Sequence, residues 1–318
     1  MPNPFVDSTH KPSFSGHETF PLRQLWLLKA YREVDRFSEK KGKAPLSVFS
    51  GDDAIVRFGA GKNMVSSIKH WALSCGMIEY TESQDALQAT ATGDWLLSEN
   101  GLDPFGDSAS TSWLIHWRLA GQGGKNFKSA TWYWLFNHVT SPSFTRSDLN
   151  HAYVNFLKDL EIKVSPATIK RDIECCLKSY APKADSKNME EVSEPVLGEL
   201  GIIHSIGNDS FEFRRGPKHT LSDHMFALAL NEFWDHHSPG TSTLSFEAIA
   251  HEYGSPGRVF KLDENSISDR LSNIENITSG KMLWSDTAGM KQITRNKQFE
   301  LDGTETNNPP LFLKESYV

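Results

Sequence analysis

The chain has 318 residues, of which 38% are hydrophobic, 11% aromatic and 23% charged, and its formal net charge is −7. This length leaves room for two or three domains, and the composition is that of a soluble globular protein. Cys75, Cys175 and Cys176 are too few and too badly spaced for a zinc site or a disulfide framework. No apolar run approaches the roughly 18 residues needed to cross a bilayer, and the N-terminus lacks the basic and apolar regions of a secretory signal. A cytoplasmic protein without membrane contact is expected. The net negative charge argues against a protein that simply coats nucleic acid. Between Phe20 and Tyr80, however, ten Lys or Arg stand against six Asp or Glu, so one basic face can meet DNA.

From the N-terminus onward, "HETFPLRQLWLLKAYREVDRF" spaces Leu22, Leu25, Trp26, Leu28 and Lys29 for one broad helical face. "SGDDAIVRFG" reads as a short second helix with Ser50 or Asp52 as N-cap. "GKNMVSSIKHWALSCG" follows, with Met64, Val65, Ile68, Trp71 and Ala72 as its apolar stripe and Gly76 as C-cap. "MIEYTE" and "LQATATG" then read as a hairpin. Helix, helix, helix, hairpin is the order of a winged helix, whose third helix enters the major groove. "STSWLIHWRLAG" and "SATWYWLFNHV" form a Trp-rich helical insert expected to pack in the core.

A second copy of the order begins at "TRSDLNHAYVNFLKDL", capped at Thr145 or Ser147. It continues in "SPATIKRDIECCLKSYA", where Ser165 caps, Pro166 opens the helix and Ile169, Ile173, Cys176 and Leu177 form the stripe. "VSEPVLGELGII" and a hairpin turning at Gly207–Asn208 complete it. A weaker third copy runs through "STLSFEAIAHEYG", "DENSISDRLSNIEN" and "KMLWSDTAGMKQITR". The expected fold is mainly α with short β-hairpins (α+β), as tandem winged-helix-like modules. The boundaries are 1–105, the insert 106–140, 141–217, and 218–318 with the tail.

"RFGAGKNMV" imitates a phosphate-binding loop but is not one. The glycine that should precede Gly61 by five positions is Val56, and Asn63 follows Lys62 where a hydroxyl is required. Gly59 and Gly61 suit a tight turn, and the amides opening the next helix attract an anion. Lys62, Asn63, Ser66, Ser67 and Lys69 lie mostly off the apolar stripe, so they suit phosphate and base-edge contact; a solvated polar face is the plain alternative. Lys170 and Arg171 occupy the equivalent helix of the second copy. In "SGHETF", His17 and Glu18 offer an imidazole and a carboxylate for metal or proton handling, while Ser15 or Thr19 can simply cap a helix. Asp52 and Asp53 can hold magnesium, or complement a helix macrodipole. His116 reads as a hydrogen-bonded core histidine. His219, His224, His236 and His237 match no metal pattern.

"FSGHETFPLRQLWLLKAY", "DDAIVRFGAGKNMVSSIKHWA", "TSWLIHWRLA", "TWYWLFN" and "SPATIKRD" together resemble, in order, a bacterial family encoded beside DNA phosphorothioation genes. The resemblance runs from about Phe14 to about Gln292. It implies a DNA-nicking endonuclease that opens one strand so that sulfur can replace a non-bridging phosphate oxygen. It also implies partners: DNA, sulfur-transfer proteins and an ATPase. If the chain nicks DNA, the chemistry needs an attacking water, a clamp on the phosphate and an acid for the leaving oxygen. His17, Glu18, Asp52 and Asp53 are the candidate catalytic residues, with Asp52 and Asp53 as ligands for Mg or Mn. Arg57, Lys62, Asn63, Ser66, Lys69, Lys170 and Arg171 are the candidate DNA contacts. The competing reading is a non-catalytic DNA-binding scaffold or sensor of the same system.

Overall fold

The first helix, α1 (Trp26–Ser38), begins later than its leucine pattern suggests. Ser15, Glu18, Thr19 and Leu25 all take left-handed backbone angles, with φ of 61°, 48°, 68° and 66°, which an α-helix of L-residues does not accept. The segment ahead of Trp26 is therefore an irregular strap, and Leu25 is exposed instead of joining the apolar face. Lys29, expected on that face, reaches across and donates its Nζ to the Phe58 carbonyl at 3.0 Å. The structure, a computed structural model, describes residues 4–7, 11–38, 42–121, 127–182, 195–207, 209–287, 289–295 and 309–317.

After α1 come β1 (Ala44–Pro45), α2 (Ala54–Phe58), α3 (Lys62–Ser74), β2 (Ile78–Tyr80), β3 (Ala86–Ala89) and α4 (Ala91–Leu97). Val65, Ile68, Trp71 and Ala72 are buried as the stripe on α3 requires. The helix stops because Gly76 turns left-handed (φ 69°) and Met77 N–H closes back on the Ala72 carbonyl at 2.9 Å. At α2 the cap position is Asp53, not Ser50 or Asp52. Its carboxylate makes no cap bond and turns to Arg57 instead. Ser67 also departs from expectation: it is fully buried and donates to the His17 carbonyl.

Next come α5 (Ala109–Ala120) and α6 (Ala130–His138), which bury Trp113, Trp117, Trp132 and Trp134. Helices apolar on nearly every side belong in a core, and each large side chain there contributes about 1.5–3 kcal/mol by leaving water. The chain continues through β4 (Ser143–Thr145), α7 (Arg146–Asp159), α8 (Pro166–Tyr180), β5 (Ile203–Ser205) and β6 (Ser210–Phe213). Thr145 and Asp148 form a reciprocal capping box on α7, and Ser165 caps α8 ahead of Pro166. Asn208 of the expected hairpin turn lies outside the described residues.

The last third holds α9 (Asp223–His237), β7 (Thr243–Ser245), α10 (Phe246–His251), α11 (Pro256–Val259), α12 (Glu264–Ser272), α13 (Ile274–Ile277), β8 (Met282–Thr287), β9 (Met290–Arg295) and α14 (Leu311–Glu315). The fold is thus mainly helical with three small antiparallel sheets, the α+β class expected. Their strand orders are β1-β3-β2, β4-β6-β5 and β7-β9-β8, so each repeats the same pattern of first, third, second. Buried apolar residues from all three regions and the Trp-rich helices join one continuous cluster. α6 packs on α8, α5 on α9, and α14 on α9. Among the described residues no helix is long and apolar enough to cross a membrane.

Candidate nucleic-acid interface

On α3 the sequence separates two faces at helical spacing. Val65, Ile68 and Trp71 turn inward, while Lys62, Asn63 and Ser66 are exposed and Lys69 is half-buried beside them. These four positions fall at i, i+1, i+4 and i+7, so they make one polar stripe down a single side of the helix. Gly61 supplies no side-chain cap to the helix N-terminus, whose amides sit next to the exposed Lys62. The Nζ atoms of Lys69 and Lys128 lie over the Tyr80 ring at 5.3 and 5.5 Å. The stripe therefore continues into a basic, aromatic corner where β2 ends.

The strap lies against the back of this helix. Ser67 Oγ donates to the His17 carbonyl and Trp71 Nε1 to the Phe20 carbonyl, both at 3.0 Å. On its other side His17 Nε2 donates to Asp172 Oδ1 at 3.0 Å, and His17 Nδ1 accepts from the Thr19 backbone N–H at 3.0 Å. Asp172 also accepts from Ser15 N–H at 2.8 Å and from Thr131 Oγ at 3.0 Å. Both ring nitrogens of His17 are thus occupied, and the ring is buried. In this arrangement His17 is a positioning residue that ties the strap to α8, not a free acid or base. Glu18, its neighbour in the chain, is exposed. Close by, burial, together with His17 and Lys128, pushes the His70 imidazole down to about 3, so it stands neutral at neutral pH.

Asp172 is visible in the sequence as a residue but not in its role. It sits at i+3 from Ile169 and just ahead of Ile173, inside the apolar stripe of α8. A carboxylate in such a stripe requires buried donors, and that requirement is the signal that marks it. Lys170 and Arg171 precede it and are exposed; Arg171 Nε donates to the Ala167 carbonyl at 3.3 Å.

Asp52 and Asp53 are exposed at the start of α2. Asp53 pairs with Arg57 Nη1, while Arg57 Nε holds Glu33 at 3.0 Å and Nη2 donates to the Val48 carbonyl at 2.8 Å. Arg57 is therefore spent on fastening α1, α2 and the turn at Val48, and is not a free clamp for a strand. An open cleft of roughly 410 Å³ lies here, lined by Glu33, Arg36, Ser47, Asp53 and Arg57 among others. Among the described residues no group of three or more His, Cys, Asp or Glu gathers to hold a metal ion. With a guanidinium already on Asp53, the Asp52–Asp53 pair does not fit a divalent cation as it stands.

The class of protein follows from comparison. A family model described as "Protein of unknown function (DUF4007)" matches residues 14–308, and the chain belongs to that family. More particularly, the chain is SspB-like. It is similar to a solved structure of magnesium ion-bound SspB, with 27% identity and a TM-score of 0.79 over 90% of this chain and 84% of that one. A second SspB crystal structure gives 27% identity and a TM-score of 0.78 over the same shares. None of the curated proteins compared is a match. The magnesium belongs to that SspB.

Proposed function

We propose that this protein is a DNA-binding component of a bacterial phosphorothioation system, gripping the duplex through the exposed side of α3. The observation that carries this reading is the stripe Lys62, Asn63, Ser66 and Lys69, which is polar and solvent-facing on a helix whose other side is buried. Lysines there serve phosphate contact, and Asn63 and Ser66 have the hydrogen-bonding groups that read base edges. The repeated strand order supports three winged-helix-like modules, divided near 105, 140 and 217, in which α3 and α8 are the helices offered to DNA. Lys170 and Arg171 then extend the interface. Sulfur-transfer and ATPase proteins are the expected partners, in the cytoplasm.

Opening of one strand for sulfur incorporation is the activity the family resemblance implies, and we propose it as the outcome of binding. Exposed Glu18 is the best placed of the acidic candidates to handle a proton, held outward by the His17–Thr19 turn. The second reading, a scaffold whose partners do the cutting, is favoured by the occupied His17 and by the Asp53–Arg57 pair. Supercoiled plasmid incubated with the protein and magnesium, manganese or EDTA separates the two. Nicking that is metal-dependent and abolished in Glu18→Gln is expected for the enzyme. Intact plasmid throughout, with duplex binding retained, would instead establish the scaffold. In either case Lys62→Ala should weaken binding and lower the slope of log affinity against log salt by about 0.9, the value of one neutralised phosphate. An unchanged slope removes α3 from the interface.

A further inference from the structure

Cations concentrate at one other place, the turn between β6 and α9. Arg214 extends β6 by donating its backbone N–H to the Ile202 carbonyl, and Gly216 (φ 110°) donates to the Lys261 carbonyl at 3.1 Å. Lys218 folds under the turn, its buried Nζ donating to the Arg214 carbonyl at 2.9 Å and the Gly216 carbonyl at 3.1 Å. Arg270 Nη2 holds the far end through the carbonyls of Lys218 and Leu221, at 3.0 and 2.8 Å. The turn is therefore fastened at both ends and beneath, and Arg214 and Arg215 project from it exposed.

The other cations here have structural work. Lys261 is buried and donates to the Phe136 carbonyl at 2.7 Å, with its Nζ 4.1 Å from the Phe213 ring centroid. Arg258 donates to the Asn137 carbonyl, so both complement the C-terminal end of α6. Arg270 pairs with Asp223 at 2.5 Å. Arg214 and Arg215 have no such work: neither guanidinium has a hydrogen-bond or ion-pair partner among the described residues. Arg36, Arg57, Arg118, Arg146 and Arg295, by contrast, are each held by a carboxylate. Like charge accumulates around the turn; burial and then its neighbours, Arg214, Arg215 and Arg270 among them, push Lys218 down to about 8, with Asp263 opposing. A chain with 40 acidic and 33 basic residues could have paired both arginines. Without a partner among the described residues, and set on a turn fastened at both ends, the two arginines make a preorganised focus of positive potential.

We infer that the Arg214–Arg215 turn is a second nucleic-acid site, one that takes backbone phosphates without reading sequence. Arginine's planar fork fits phosphate oxygens, and a rigid turn loses little freedom on binding them. This inference rests on the DNA-binding reading above but uses residues remote in sequence from α3. The test is equilibrium binding of the full chain to two duplexes of unrelated sequence over a range of salt. Arg214→Ala/Arg215→Ala is expected to weaken both duplexes equally and to reduce the salt slope by about 0.9 for each phosphate the two arginines neutralise. Arg214→Lys/Arg215→Lys should keep most of the slope, and all variants should melt at the wild-type temperature because both side chains are exposed. A wild-type chain with no salt-dependent affinity overturns both readings. Wild-type binding whose slope and affinity survive in the double alanine variant overturns this one alone.

Discussion

His116 shows how a single residue's surroundings set its chemistry. Its Nε2 lies 2.9 Å from the Val259 carbonyl, which can only accept, so Nε2 carries the proton and Nδ1 accepts from Tyr180 OH at 2.7 Å. Its tryptophan neighbours suffice to mark it as a core histidine, because an apolar helix face leaves no alternative to internal hydrogen bonds. Burial pushes the imidazole from 6.5 down to about 3, and burial likewise brings His138 down to about 4. Between these values and 6.5 the unfolded chain binds protons that the folded chain refuses, so stability is full above about 6.5 and falls as the pH drops toward the folded values. The slope is about 1.4 kcal/mol per pH unit for each such histidine. Melting temperatures measured across this window should decline steadily toward acid. His116→Gln, which keeps a donor and an acceptor, should decline less steeply; an equal slope would show that His116 is not neutral in the folded chain.

Among the elements, the strap matters more than any helix boundary. The strap is held by hydrogen bonds from α3 to His17 and Phe20 on one side and by Asp172 to Ser15 and His17 on the other, so one carboxylate links the strap, α6 and α8. Asp172→Ala leaves a buried imidazole N–H, a backbone N–H and a hydroxyl without their acceptor, each costing about 1–3 kcal/mol. The variant should melt several degrees lower, and the Ser15 amide should exchange rapidly; wild-type protection at Ser15 would mean that the strap is held by other contacts. The helix pattern over His17–Leu25 misleads because leucine spacing carries no information about backbone sign, and the strap is fastened by partners 50 to 157 positions away. The stripes on α3 and α8 are legible because their own spacing specifies the buried side. The strand pairs are legible as hairpins, but the pairing of β1, β4 and β7 with the third strand of each sheet is not.

Across the whole chain, one apolar cluster runs through all three sheets and the Trp-rich helices. Calorimetry should therefore record a single cooperative unfolding transition, whereas three separable transitions would mark the modules as independently stable units. For the DNA-binding function proposed above, this continuity would carry α3, α8 and the Arg214–Arg215 turn on one core. Sequence alone was enough for the helical segments with strong apolar periodicity, the three hairpins, the core tryptophans and the polar stripe of α3, because each of these depends on residues close together in the chain. It also carried the family resemblance. Folding in three dimensions was needed to show that His17 and Asp172 meet, that Arg57 is consumed by Glu33 and Asp53, and that Arg214 and Arg215, unlike their neighbours, have no partner among the described residues. Those outcomes depend on which distant groups folding brings within hydrogen-bonding reach, and a local pattern holds no record of that.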